Sequence, residues 1–205
     1  MNKLDVEYDL VFIIDCLPRR DRNRWAVSQK LIDFLAANGV NQQLASCENK
    51  KQVFEALEYI TKQVEKGIKV CLHLVSHGNQ YGLLIESVSE RILWHELRPY
   101  LYNLNLKSSN TLIVNMTSCK GINGAKIIDP DENDYPFYGL IGCSKDLYFK
   151  VGRMINEKFY SKLIEGKNIS VIIDEIQKEM RIKGVVDMLY GISSQGYRNL
   201  KQNSR

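Results

Sequence analysis

The sequence predicts an α/β domain: a mostly parallel central sheet with helices on both faces. Three observations carry this. Short apolar, β-branched runs end on a polar residue or a glycine, as strands buried on both faces do. Longer stretches between them repeat apolar residues every three or four positions, as helices with one buried face do. The two kinds alternate along the chain, which favours parallel strands joined by helical crossovers.

Residues 9–16, Asp-Leu-Val-Phe-Ile-Ile-Asp-Cys, read as the first strand. Residues 17–24, Leu-Pro-Arg-Arg-Asp-Arg-Asn-Arg, read as a loop holding Arg19, Arg20, Arg22 and Arg24. Trp25, Val27, Leu31, Ile32, Leu35 and Ala36 form a helical stripe over 25–38, and Gly39 closes it. Residues 40–46 read as a short strand. Val53, Leu57, Ile60 and Val64 mark a helix over 50–66 with Gly67 as its stop. The strand Lys69–Gly78 follows, then a turn and a short return strand over 83–85.

Leu93, Leu97, Leu101 and Leu104 give a helix over 93–104, with Pro99 inside it. The strand Thr111–Gly121 ends on Cys119. Residues 120–136 read as a loop, because Asp129, Asp131, Glu132 and Asp134 repel one another and Pro130 and Pro136 break regular structure. At rest this acidic run is expected to dock on Arg19–Arg24. Residues 138–143 read as a strand, 147–165 and 170–183 as helices, and 187–193 as a last strand. The polar tail, 196–205, reads as frayed.

The length, 205 residues, fits one domain over 1–205. Hydrophobic residues make up 44% and charged residues 25%, enough to bury a core. A net charge of +4 without a dense basic stripe argues against nucleic acid as a partner. Five cysteines without a C-x-x-C pair give neither a disulfide framework nor a zinc site, so no metal and no cofactor are expected. No apolar run nears the ~20 residues of a membrane span, and residues 1–7 lack a signal-peptide core. A cytoplasmic location is therefore expected.

Two strand ends carry chemistry. Lys69-Val-Cys-Leu-His-Leu-Val-Ser-His77-Gly78 and Thr111-Leu-Ile-Val-Asn-Met-Thr-Ser-Cys119-Lys-Gly121 place an imidazole and a thiol at one edge of one sheet. A thiol beside an imidazole is the minimum for a cysteine nucleophile. Lys120 is placed to favour a thiolate if its amine folds back. His73 shares a strand face with Cys71 and Val75 and reads as a core histidine. His95 reads as solvated, and Cys16, Cys47, Cys71 and Cys143 as small core hydrophobes. Cys16-Leu-Pro-Arg-Arg-Asp-Arg22 also has the Cys-x5-Arg spacing of small tyrosine phosphatases. Pro18 lacks an amide, Asp21 repels phosphate, and no glycine is present, so the spacing is a poor phosphate cradle.

The pair Ser76-His77-Gly78 and Ser118-Cys119-Lys120-Gly121 resembles the caspase-like cysteine proteases (clan CD). Ser144, Phe159-Tyr160-Ser161-Lys162-Leu163, Gly166, Ser170 as a helix cap, and Leu189-Tyr190-Gly191 resemble the CHAT branch. The resemblance implies a three-layer caspase-like sandwich and peptide-bond hydrolysis by Cys119 with His77. It implies an oxyanion hole from the amides of Gly78 and Cys119. Pro18-Arg19-Arg20 lies where animal caspases hold an arginine of their aspartate pocket. Thr117 replaces the glutamine found there two positions before the cysteine. Arg19, Arg20, Thr117, Ser118, Cys143 and Ser144 are thus expected to bind substrate, with Thr117, Cys143 and Ser144 walling a neutral pocket and Asp146 as a lesser source of an acid. A protein substrate is implied, including a gasdermin-like partner in bacterial antiviral defence, and with it an activating or inhibitory protein partner. A catalytically silent caspase-like scaffold is the alternative.

Overall fold

The computed structural model describes residues 8–64, 68–85, 88–182 and 188–203. The first half runs β1 (Leu10–Asp15), α1 (Arg19–Trp25), α2 (Val27–Ala37), β2 (Gln42–Ser46), α3 (Lys50–Gln63) and β3 (Val70–Val75). A small hairpin sheet follows, β4 (His77–Gly78), β5 (Gly82–Ile85) and β6 (Glu90–Leu93), then α4 (Trp94–Lys107) and β7 (Ile113–Met116). A 3₁₀ helix (Gly121–Ile127), β8 (Gly139–Cys143), α5 (Phe149–Ile164), α6 (Ile169–Ile182), β9 (Leu189–Ser193) and α7 (Ser194–Gln202) complete the chain.

The main sheet has the order β2-β1-β3-β7-β8-β9. Its strands are parallel except β9, which runs antiparallel to β8. Period-two alternation divides the core into two layers. Phe12, Ile14, Leu72, Leu74, Val114 and Met116 face α3 and α4. Val11, Ile13, Cys71, Val75, Ile113 and Ile141 face α2, α5 and α6. Helices therefore cover both faces, and the architecture is a three-layer α/β sandwich. No described helix is long and apolar enough to cross a membrane.

Four expectations need correction. The arginine-rich stretch expected as a loop is the helix α1. Pro18 at its start has φ −56° and accepts the amides of Asp21 and Arg22 at 2.8 and 2.9 Å. Arginine is a good helix former, and Asp21 in the first turn meets the positive end of the helix dipole. The segment expected to be irregular over 120–136 contains the 3₁₀ helix. Lys120 opens it with φ 55°, and Gly121 then packs so closely on β7 that a Cβ would sit 1.9 Å from the Met116 carbonyl oxygen. The acidic run docks on Arg98 and Arg198, away from Arg19–Arg24. Arg98 pairs with Glu132 at 2.5 Å and with Asp134, and donates to the Ile127 carbonyl at 2.7 Å. Residues 196–202 of the tail expected to fray belong to α7. Ser193 caps it by accepting the Gly196 amide at 3.0 Å, and buried Arg198 donates to the carbonyls of Glu132 and Asp134.

Smaller differences follow the same logic. His77 and Gly78 do not extend β3 but begin the hairpin sheet, where His77 pairs with Leu84. Asn168, rather than Ser170, caps α6, accepting the Ser170 amide at 3.0 Å. The stop expected at Gly67 and the tail residues 204–205 lie outside the described residues.

Candidate active site

The carboxyl ends of β1, β3 and β7 meet at one edge of the sheet. β1 and β3 are in register from Leu10–Val70 to Asp15–Val75, and β3 and β7 from Cys71–Ile113 to His73–Asn115. The chain leaves each strand there through a polar turn. Asp15 anchors the first one, accepting the Leu17 amide at 2.9 Å and the Ser28 hydroxyl at 2.7 Å. The Asn115 side chain anchors the third, accepting the Thr117 amide at 3.1 Å.

Cys119 follows β7 on a tight turn. The Gly121 amide donates to the Ser118 carbonyl at 3.1 Å, and the Lys120 amide reaches across to the Lys145 carbonyl at 3.1 Å. Cys119 is partly exposed, and its sulfur accepts the Leu147 amide at 3.2 Å. Among the five cysteines Cys119 alone is not buried. Burial pushes the Cys71 and Cys143 thiols up to about 12, Cys143 also under the influence of Cys119. Cys16 is fully buried and its thiol is pushed higher still by desolvation, which does not suit the phosphatase spacing.

His77 faces the same cavity. That cavity is about 70 Å³ and is lined by Leu17, Val27, Val75, Phe149 and Asn156 around His77, Thr117, Ser118 and Cys119. Gly78 brings the two halves together: a Cβ on it would lie 2.7 Å from the Cys119 carbonyl oxygen. The Phe149 ring packs edge-on to His77 at 5.8 Å and stacks on Trp25 at 5.3 Å. The segment 147–149 thus holds the thiol through Leu147 and the imidazole through Phe149.

The floor is polar but uncharged. Thr117 Oγ1 donates to Asn156 Oδ1 at 2.5 Å, and Asn115 reaches the same oxygen at 3.4 Å. His73, 1% exposed, exchanges a hydrogen bond with the Tyr160 hydroxyl at 2.9 Å, and burial pushes its pKa down to about 3. It is a neutral core histidine that also lines the cavity.

Of the residues read from the sequence, the fold brings His77, Gly78, Thr117, Ser118 and Cys119 together. Arg19, Arg20, Cys143 and Ser144 are not among the residues lining the cavity. Arg20 is exposed on α1 and donates to Asp21 at 3.2 Å. Cys143 is buried within β8, and the Ser144 amide donates to the Met188 carbonyl at 2.8 Å. The Lys120 amine sits 3.9 Å from Asp146, which is largely exposed, so each is turned to the other.

Asp21 is the residue the sequence reading missed. Its Oδ2 lies 3.3 Å from His77 Nε2, although Asp21 is only 7% exposed. The sequence sets it apart only as the one acid among four arginines, which does not by itself point to His77. Larger grooves occur elsewhere, such as one of about 310 Å³ between β8, β9 and α6, but neither histidine nor cysteine lines it. Among the described residues no group of three or more His, Cys, Asp or Glu could hold a metal ion. No protein-family model matches the chain, and no curated protein matches it.

Proposed function

We propose that the chain is a cysteine endopeptidase with Cys119 as nucleophile and His77 as general acid–base. The observation that carries this is one cavity bordered by the only partly exposed cysteine and by His77, with Gly78 pressed against the nucleophile turn. The thiol gives its proton to His77, and the sulfur bonds to the substrate carbonyl carbon. The carbonyl pair moves onto oxygen, where the amides of Gly78 and Cys119 are the donors that would hold it. Collapse breaks the C–N bond, and the leaving amine takes the proton from His77. Water, deprotonated by His77, then attacks the thioester and frees the acid and the thiol. The oxyanion step is the one in which preorganised donors lower the barrier by several kcal/mol, at about 3 kcal/mol per donor.

The substrate on this reading is a protein segment whose side chain before the cut enters the cavity. A gasdermin-like partner in bacterial defence fits the resemblance to CHAT proteases, as does an activating or inhibitory protein partner. The test is labelling with iodoacetamide followed by peptide mapping. Selective modification of Cys119 that weakens in His77→Ala supports the enzyme. Uniformly slow, His77-independent labelling would leave a caspase-like scaffold.

A further inference from the structure

We propose that Asp21 is a positioning residue for His77, so that the site is a Cys119–His77–Asp21 triad and not a two-residue pair. This rests on reading Cys119 and His77 as nucleophile and base. The carboxylate sits 3.3 Å from Nε2 and its side chain is 10% exposed. It is held from behind. Arg20 Nε donates to the other carboxylate oxygen at 3.2 Å, and the Asp21 amide donates to the Pro18 carbonyl at 2.8 Å. Arg22 ties the same helix to the strand end by donating to the Leu17 carbonyl at 2.7 Å. The imidazole is held on another side by the edge-on contact with Phe149.

A carboxylate accepts and cannot donate, so it fixes the His77 proton on Nε2. The nitrogen that exchanges a proton with Cys119 is then Nδ1. When the thiol proton moves to Nδ1, the ring becomes an imidazolium, and Asp21 faces the new charge while staying ionised. Burial pushes the Asp21 carboxyl up, but its hydrogen bonds to Arg20 and His77 outweigh that and hold it below the usual carboxylate range. The other charged groups nearby are engaged elsewhere. Arg24 lies over Trp25, Arg153 on α5 pairs with Glu157 at 3.4 Å, and Lys120 faces Asp146. Arg20, 79% exposed, is screened by solvent and supports Asp21 only weakly.

Two readouts test this. ¹⁵N NMR of His77 reads the ring tautomer without any turnover, and peptide hydrolysis reads kcat and KM separately. Wild type should carry the Nε2–H tautomer, and Asp21→Ala should lose that preference. Asp21→Asn, similar in shape, should lower kcat by about 10²- to 10⁴-fold with KM little changed. Asp21→Glu should recover part of the loss, and Arg20→Ala should cost little. An unchanged tautomer in Asp21→Ala, or wild-type kcat in Asp21→Asn, overturns the proposal. If wild type cleaves no peptide and leaves Cys119 unlabelled, the enzyme reading fails, while the tautomer comparison still decides whether Asp21 sets the ring.

Discussion

Gly78 abuts the Cys119 turn so closely that an added Cβ would meet the Cys119 carbonyl oxygen at 2.7 Å and Ser118 Oγ at 3.2 Å. The first of these contacts is one that real Cβ atoms essentially never make. Gly78→Ala should therefore push the turn away from the His77 strand. The site would lose its alignment, and kcat/KM should fall by about 100-fold or more. The melting temperature should change little, because Gly78 lies in a two-residue strand of the small hairpin sheet. Steady-state kinetics beside a thermal melt check this. Wild-type turnover would show that the close approach is irrelevant to the chemistry.

The cavity should select an uncharged side chain before the cut. Leu17, Val27, Val75 and Phe149 make apolar walls, and Thr117, Asn156 and neutral His73 make the floor. Arg153 is the charged lining residue, and it already faces Glu157. At about 70 Å³ the space suits small to medium groups. Peptides with Ala, Val or Leu there should be cut at least about tenfold faster than those with Lys, Arg or Glu, since an unpaired charge in such a site is costly. Competition between paired peptides measures the ratio. A preference for Asp or Glu would instead assign Arg153 to recognition.

The segment 128–136 should be held down in the resting protein. Arg98 pairs with Glu132 and Asp134, and Arg198 donates to the carbonyls of the same two residues. Arg98→Ala removes a half-exposed pair with Glu132 and more buried bonds to Asp134 and the Ile127 carbonyl, together worth about 1.5–3 kcal/mol. Limited proteolysis within 128–136 should then run about tenfold faster or more than in wild type. Equal cutting of the two proteins would mean that the arginines do not restrain the loop.

Acid should destabilise the fold through His73. Burial pushes its pKa down to about 3, whereas in the unfolded chain it binds a proton near the ordinary value of about 6.5. Between those values the unfolded state holds the extra proton, so stability falls as pH falls through that window. One such group sets a slope of at most about 1.4 kcal/mol per pH unit. His73→Gln should flatten the decline between pH 6.5 and about 4, measured as urea midpoints. The difference between the two slopes separates His73 from carboxylates such as Asp15, which burial pushes up. Identical slopes would contradict the burial argument.

The central strands β1, β3 and β7 were legible because they are short, apolar and rich in β-branched residues. Val70–Val75 is buried along its full length, so tertiary packing agrees with local pattern. α2, α3, α5 and α6 were legible from stripes such as Val53, Leu57 and Ile60. α1 was not, because its seven residues include a single buried side chain and offer no stripe. The 3₁₀ helix repeats every three residues and buries glycines, which leave no hydrophobic period. α7 is held by Arg198, a serine cap and Tyr197 packed against the core, which leaves no apolar stripe along its length. At the site, the thiol and imidazole were visible as strand ends. Asp21 was not, because its role depends on a helix that turns it back onto His77.

The most direct measurement is cleavage of a mixed peptide library by the purified protein beside Cys119→Ala, read by mass spectrometry, with circular dichroism to confirm that both are folded. Wild type should cut a defined subset of peptides. Cys119→Ala should cut none, and adding His77→Ala to it should make nothing worse, because nucleophile and base act as a unit. Cleavage by folded Cys119→Ala at the wild-type rate and sites would contradict the assignment of Cys119 as the nucleophile.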